Sequence, residues 1–554
     1  MGQGGEGHGP SKRRRVRVWL LIVLGAVVIV GGWTCIALVV IHYQSKYVAA
    51  HPPPPDPATL RKLRTEAVAT IALAPLPGKL PLIERPGKDA YGYPRSYVDG
   101  TALRALLGRG RFRELSTYIE QFEADVEADY HTEYFMNDSA DAFASGEHEL
   151  DASLDAWVAA TPDSFAPYLA RGAHRFAVGF AERGSDVIRK TDAANLSAMN
   201  AAFALSLADL EQAQHLNPHV VTAIRYQLRI AFSAAAHRSE FNALVGRAIQ
   251  TCRGCFQPRV TQQVGLQPRW GGSYELMGNA ARRANRTFNH RFELLAGYEQ
   301  LDRSRVLAAA KDLKGARAAA ERAQALGENA DFIEHLAHVM EWQGDEAGAL
   351  RAINRAIDIR PMRPELLIFR VRLELTEALK NYESAHDDLL TVLRLDPADV
   401  DARRYLPYVF RDLASAGWQA HLRGDDANAI RLLDEAMDLE PNRTTEAQRV
   451  TVLTSSFHGT QQELTVLEAS AKAFPRDFYA HERLDYALSQ SKQWTRIVSM
   501  WTAYLVQNPA DGRAYYERAG TYSQMQQRPA ALADAARACD LGISVACALV
   551  ARGG

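Results

Sequence analysis

A frame of small and apolar residues closed by a proline recurs through the second half of the chain, and it leaves few folds open. In residues 330–361 it reads Ala349, Ile353, Ala356 and Pro361. Offsets of four and three put the first three on one helix face, and the proline falls just past the end of that helix. Ala385, Leu389, Val392 and Pro397 repeat the frame, as do Ala429, Leu433, Ala436 and Pro441, with looser copies ending at Pro475 and Pro509. These prolines lie 36, 44, 34 and 34 residues apart, the period of stacked helical hairpins. Each hairpin carries an apolar face that only a neighbour can cover, so the units must stack into a solenoid.

The A-x3-F…P frame resembles the tetratricopeptide repeat, although that repeat's helix-A tryptophan and its glycine are mostly replaced here. The resemblance implies an all-α, right-handed superhelix that holds a protein or peptide in its concave groove, with helix-A side chains selecting the partner. An earlier copy, Ala316, Ala320 and Ala323 with Gly327 near the proline position, sets the repeat array at residues 291–554.

Residues 1–17 form a polar tail ending in KRRRVR, which abuts an uncharged apolar run at residues 18–41. As a helix that run is roughly 36 Å long, against a hydrocarbon core of about 30 Å. It is expected to cross the cytoplasmic (inner) membrane once. Five basic residues precede it, whereas only Lys46 follows before Arg61, so the N-terminus stays inside and the rest of a bacterial chain enters the periplasm. Cleavage after Ala50, as in a signal peptide, is the alternative, and the length of the run speaks against it. Residues 42–96 read as a proline-rich linker with four consecutive prolines at 52–55 and a short helix through Leu60, Leu63, Ala67 and Ile71. From 75 to 94 breakers are too dense for any regular element, and a folded region is expected from Tyr97.

Residues 97–290 keep a helical pattern without a regular period. Gly108 and Gly110 mark the tight turn of a helix hairpin, and residues 185–200 read as an insertion between two helices of one repeat. Further on, Pro268 and the Gly271-Gly272 pair hold a loop open beside Trp270, and Ser273 is placed to cap a helix that begins at Tyr274. This P-x-W-G-G-S…M stretch, with Pro162, Asp163, Ser164, Arg171, Gly172 and Ala181 to Gly184 upstream, is similar to a bacterial domain family of unknown function, over residues 98–290. That resemblance implies no activity. Trp270 is expected to be buried at a structural corner. The alternative is a ligand platform with the tryptophan exposed, and Trp270, Arg171 and Tyr274 are the candidate partner-binding residues on the surface there.

The cysteines and acidic clusters limit the chemistry. Cys539 and Cys547 stand in RACDLGISVACALVARG, which resembles the cysteine-rich Sel1-like repeat; the resemblance implies a disulfide from the end of one helix to the start of the next, and two buried free thiols are the alternative. Cys252-Arg-Gly-Cys255 is a lone C-x-x-C, readable as a local disulfide, as unpaired thiols, or as a redox or metal motif that lacks further ligands. His131, Glu133, Asp138, Asp141, Glu147 and His148 include no H-E-x-x-H and read as a solvated face. Ser273 lacks a G-x-S-x-G elbow and reads as a cap, not a nucleophile. No catalytic residue, metal or cofactor is expected. A net charge of −1 argues against nucleic acid. The expected function is a membrane-anchored periplasmic scaffold for a protein or peptide. The alternative is an envelope enzyme or small-ligand domain in residues 97–290, with the repeats recruiting a partner.

Overall fold

The computed structural model describes residues 76–551 apart from 147, 185–190, 377–378, 396–398, 441 and 456–458. All the described residues belong to one compact unit of the chain, Asp56–Gly554. The expected membrane span at 18–41, the proline run, the short helix at 60–71, Pro397 and Pro441 lie outside the described residues. Among those described, no helix is long and apolar enough to cross a membrane.

Two short antiparallel strands come first, β1 (Leu82–Ile83) and β2 (Tyr97–Val98), with Leu82 opposite Val98. Ten helices follow: α1 (Gly100–Gly108), α2 (Phe112–Ala128), α3 (Glu133–Asp141), α4 (Asp151–Ala160), α5 (Phe165–Arg183), α6 (Ala193–Leu216), α7 (Val221–Ser233), α8 (Phe241–Thr251), α9 (Gln257–Gly265) and α10 (Tyr274–Arg283). Regular hairpins then succeed one another: α11 (Gly297–Ala309) with α12 (Leu313–Gln324), α13 (Ala330–Trp342) with α14 (Glu346–Ile359), and α15 (Pro364–Glu374) with α16 (Tyr382–Leu395). The series continues as α17 (Val400–Leu422) with α18 (Asp426–Leu439), α19 (Arg443–Ser455) with α20 (Gln461–Ala473), and α21 (Phe478–Gln490) with α22 (Trp494–Gln507). It ends with α23 (Gly512–Gln524), α24 (Arg528–Asp540) and α25 (Ser544–Ala551). The chain is an all-α helical solenoid.

The frame positions are its core. Ala316, Ala320, Ala323, Ala349, Ile353, Ala356, Ala385, Leu389, Val392, Ala429, Leu433 and Ala436 are all fully buried. Each large one contributes about 1.5–3 kcal/mol by leaving water, and the alanines let the facing helix come close. Within the hairpins the turn after the first helix holds one residue in the left-handed region. Glycine fills that place at Gly344, Gly424 and Gly459, and Lys311, Lys380, Lys492 and Gln526 fill it elsewhere. The repeat's turn geometry therefore persists where its glycine is gone, at a cost of about 1–2 kcal/mol for each non-glycine residue. Asp312, Asp345 and Asp425, which follow these turns, accept from the backbone three residues on and cap the second helix.

Three sequence expectations need correction. The insertion at 185–200 is shorter, because α6 begins at Ala193: the run Ala193, Ala194, Leu196 and Ala198 favours helix, and Met199 and Phe203 are buried one turn apart. Residues 75–94 do contain a regular element, β1, which pairs with β2 across the breakers. The last part of the presumed linker is also strapped down. Tyr93 is buried, donates from its hydroxyl to Glu133 Oε1 at 2.9 Å and accepts from Asn289 Nδ2 at 2.7 Å. Arg291 lies over the Tyr93 ring and pairs with Asp89 at 3.1 Å.

The solenoid also meets itself. Helix α1 touches α16, and the Arg104 guanidinium donates to the Leu395 carbonyl, 291 residues away. Arg360, just beyond α14, donates to Asp138 of α3 at 2.5 Å. The irregular N-terminal helices thus close onto the third hairpin, and the sides of α3 and α11 that carry Tyr134 and Tyr298, within electrostatic range of each other, make up the inward face between them.

Candidate functional site

Helical register assembles the inward face. Tyr134, Asp138 and Asp141 stand at i, i+4 and i+7 along α3, Arg225 and Arg229 at i and i+4 along α7, and Tyr298, Asp302 and Arg305 at i, i+4 and i+7 along α11. Asp331 and Glu334 open α13, and Arg363 with Glu365 opens α15. Asp141 and Asp331 keep 43% and 32% of their side-chain surface open to water, yet burial is the largest influence on both carboxyls. Both side chains are thus open to water in part and covered in part by neighbouring helices, and they form the floor of this face.

Ion pairs knit most of this floor together. Arg225 reaches Asp141 at 2.6 Å, and the Tyr226 hydroxyl donates to the same oxygen. Arg363 gathers Asp331 at 2.8 Å, Glu334 at 3.3 Å and, loosely, Glu365 at 3.8 Å, while the Tyr298 hydroxyl donates to Asp331 at 2.9 Å. Arg360 lies over the Tyr134 ring, 4.1 Å from its centre, as it pairs with Asp138. Burial by itself would raise Asp141 and Asp331; Arg225 with the Tyr226 hydroxyl, and Arg363, outweigh it and hold both below the usual carboxylate range. Burial lifts Asp138 against the pull of Arg360, and the charge of Asp141 adds to the lift.

Two cations on this face are left over. Arg229 rests on the Phe176 and Tyr226 rings, 4.3 and 5.6 Å from their centres, and Arg305 stands within electrostatic range of Asp331, Glu334 and Asp302. Neither has a salt-bridge partner among the described residues. Burial lowers both guanidinium groups from their ordinary value. A groove so arranged can take up negative charge without first breaking a pair.

The residues singled out in the sequence fall at three places. Trp270 is half-buried, its ring 5.2 Å from Phe232, and its indole N–H is enclosed with no acceptor. Pro268 opens the 3-10 turn Pro268–Trp270, Gly271 follows it at φ 82°, and Ser273 accepts from the Leu276 amide at 3.1 Å as α10 starts. The Tyr274 hydroxyl donates to Asp302 at 3.2 Å, Arg269 pairs with that same carboxylate at 3.2 Å, and Arg303 covers the Tyr274 ring at 4.0 Å. The loop therefore abuts α11 one turn from Arg305. Full burial of Trp270 does not occur, although its indole N–H is enclosed. Arg171 belongs elsewhere. Its guanidinium grips Asp209 with two bonds, at 3.0 and 2.7 Å, and Asp155 with a third at 2.7 Å, which makes it a tie between α5 and α6 and leaves it little to offer a partner.

Both cysteine pairs stand at disulfide distance, Cys252 with Cys255 at the end of α8 and Cys539 with Cys547 between α24 and α25. Glu133, read as part of a solvated face, is buried and accepts from the Phe256 and Gln257 amides at 2.7 and 3.0 Å, at the start of α9. Sequence reasoning missed Arg225, Arg229, Arg305, Arg360 and Arg363. The i, i+4, i+7 spacing of Tyr134, Asp138 and Asp141 was the available signal for the face they join.

Residues 100–243 match the family model described as Domain of unknown function (DUF4034), which lies within the 98–290 stretch but stops short of the Pro268–Ser273 loop. Among curated proteins no match was found. Similar solved structures include a tetratricopeptide repeat protein from Parabacteroides merdae, at 15% identity over 46% of this chain and 98% of that one, with a TM-score of 0.20. The P58(IPK) TPR domain follows at 14% identity, 63% and 92% coverage and a TM-score of 0.24, and YrrB, titled a TPR protein with an unusual peptide-binding site, at 18%, 36% and 97%, and 0.21. These superpositions are loose, and the fold rests on the helix pairing described above.

Proposed function

We propose that the protein is a membrane-anchored scaffold whose inward solenoid face binds an acidic segment of a protein partner. The observation that carries this reading is the pair of unmatched arginines, Arg229 and Arg305, on a face where the other charges are already bonded. Side chains from α7, α11, α13 and α15 offer an extended chain several contact points, and guanidinium groups suit carboxylates by geometry as well as charge. The basic residues before the apolar run support an anchor at 18–41 with the solenoid on the periplasmic side. The Cys539–Cys547 pair suits that oxidising compartment and a Sel1-like end to the array.

An enzyme reading is favoured by one observation, the opposite shifts of Asp138 and Asp141, since acid/base pairs are made that way. Each of these carboxylates is already bonded to an arginine from another helix, so the binding reading is preferred.

Full-length protein in mild detergent is expected to retain a partner from envelope extract, and R229Q/R305Q to retain at least about tenfold less, with wild-type binding weakened by salt. An unchanged captured set from a double variant that melts like the parent overturns the groove reading. The anchor is tested separately. A reporter after Gly554 should be active only outside the cytoplasm, and a C-terminal region that resists protease in spheroplasts, while an exported control is digested, reverses the orientation.

A further inference from the structure

A second candidate site lies away from the groove, in a cleft of about 390 Å³ bounded by the end of α8, by α9 and by the end of α10. Its charged lining is Arg253, Arg259 and Arg283, with no acidic residue among the lining side chains. None of the three has an ion-pair partner among the described residues. Arg259 is the best placed of them. Its guanidinium stacks on the Phe292 ring, 4.5 Å from the centre, and its Nε is buried without an acceptor. Burial lowers its pKa with no carboxylate to offset the effect.

The walls are fixed before any ligand arrives. Arg253 sits inside the Cys252–Cys255 loop, and the Tyr130 ring lies so close to Gly254 that a Cβ there would come within 2.3 Å of it. The same tyrosine donates from its hydroxyl to the Phe288 carbonyl at 2.5 Å, which ties the opposite wall to the first. Asn285 Oδ1 is occupied by the Thr287 amide and hydroxyl, which leaves its NH2 group as a donor. Phe288, 44% exposed, supplies an apolar rim.

We infer that this cleft binds a phosphate monoester, with its phosphoryl oxygens on Arg253, Arg259 and Arg283 and its organic part against Phe288. Three cations without a counter-charge call for more than one negative charge, and a tetrahedral oxyanion accepts from several guanidinium forks at once. Enclosure on low-dielectric walls strengthens that attraction over an equal patch on open surface. None of the lining residues belongs to the groove, so the inference stands independently of the scaffold reading.

The test uses full-length protein in detergent and phenyl phosphate as the probe, followed by its ³¹P line width and by the protein's melting temperature. Wild type should broaden the line and melt higher with the probe present. R253Q and R283Q, both at exposed arginines, should melt like the parent without probe and bind it at least about tenfold more weakly. R259Q should lose binding as well, and is counted only if its unliganded melting is unchanged. Glycerol 3-phosphate and short-chain phosphatidate, as competitors in the same detergent, distinguish a soluble ester from a lipid headgroup: whichever displaces the probe at lower concentration identifies the source. A line unaffected by wild type, or broadened equally by R253Q/R283Q, overturns the assignment.

Discussion

Replacing Gly272 by alanine should destabilise the protein by about 3 kcal/mol, whereas the same change at Gly271 should cost about 1 kcal/mol. The two glycines are adjacent but needed for different reasons. Gly271 takes φ 82°, a conformation unfavourable to other residues, yet a Cβ there would meet nothing. At Gly272 a Cβ would sit 2.0 Å from the Leu266 carbonyl oxygen and 2.4 Å from its carbon, and backbone held by a helix end cannot move aside cheaply. Trp270→Ala should fall below the about 3–5 kcal/mol of a fully buried tryptophan, because only part of its ring is covered. Trp270→Phe should be nearly neutral, since it keeps a ring on Phe232 and removes an enclosed N–H that has no acceptor. Thermal melts of the four variants decide the matter, and a Gly272→Ala protein melting within a degree or so of the parent would show that the corner does not hold the loop.

The frame was legible because helix periodicity is local: Ala349, Ile353 and Ala356 lie within one helix, and their burial follows from spacing alone. The turns were half legible. Lysine and glutamine at the left-handed positions Lys311, Lys380, Lys492 and Gln526 carry no signal of that conformation, so the repeat looked more degraded than its geometry is. The inward face was hidden for a different reason. Asp138 meets Arg360 across 222 residues and Asp141 meets Arg225 across 84, and no periodicity relates such pairs. Asp141 and Glu133 also show how little acidic character alone says, because one is on the wet floor of the groove and the other holds the start of α9 in the dry interior.

Glu123→Met should stabilise the protein, and by an amount that depends on pH. Glu123 is 1% exposed on α2, where Phe122 and Val126 are also buried, and neither of its carboxylate oxygens has a hydrogen-bond partner. Burial, helped by the charge of Glu127, pushes its carboxyl up from 4.5 to about 8. A folded-state value above the unfolded one means that the fold favours the neutral acid. Stability from this group is therefore fully present below 4.5, is lost as pH rises to about 8, and stays lost above that. At about 1.4 kcal/mol per unit, the loss across this window is on the order of 3–5 kcal/mol. Methionine fills a similar volume without a charge to bury, so the variant should exceed the parent by far more at pH 9 than at pH 4.5. Denaturant unfolding at the two pH values measures the difference directly. An equal gain at both would mean that the carboxylate finds solvent or a partner in the folded protein, and that its burial on α2 is not what sets its titration.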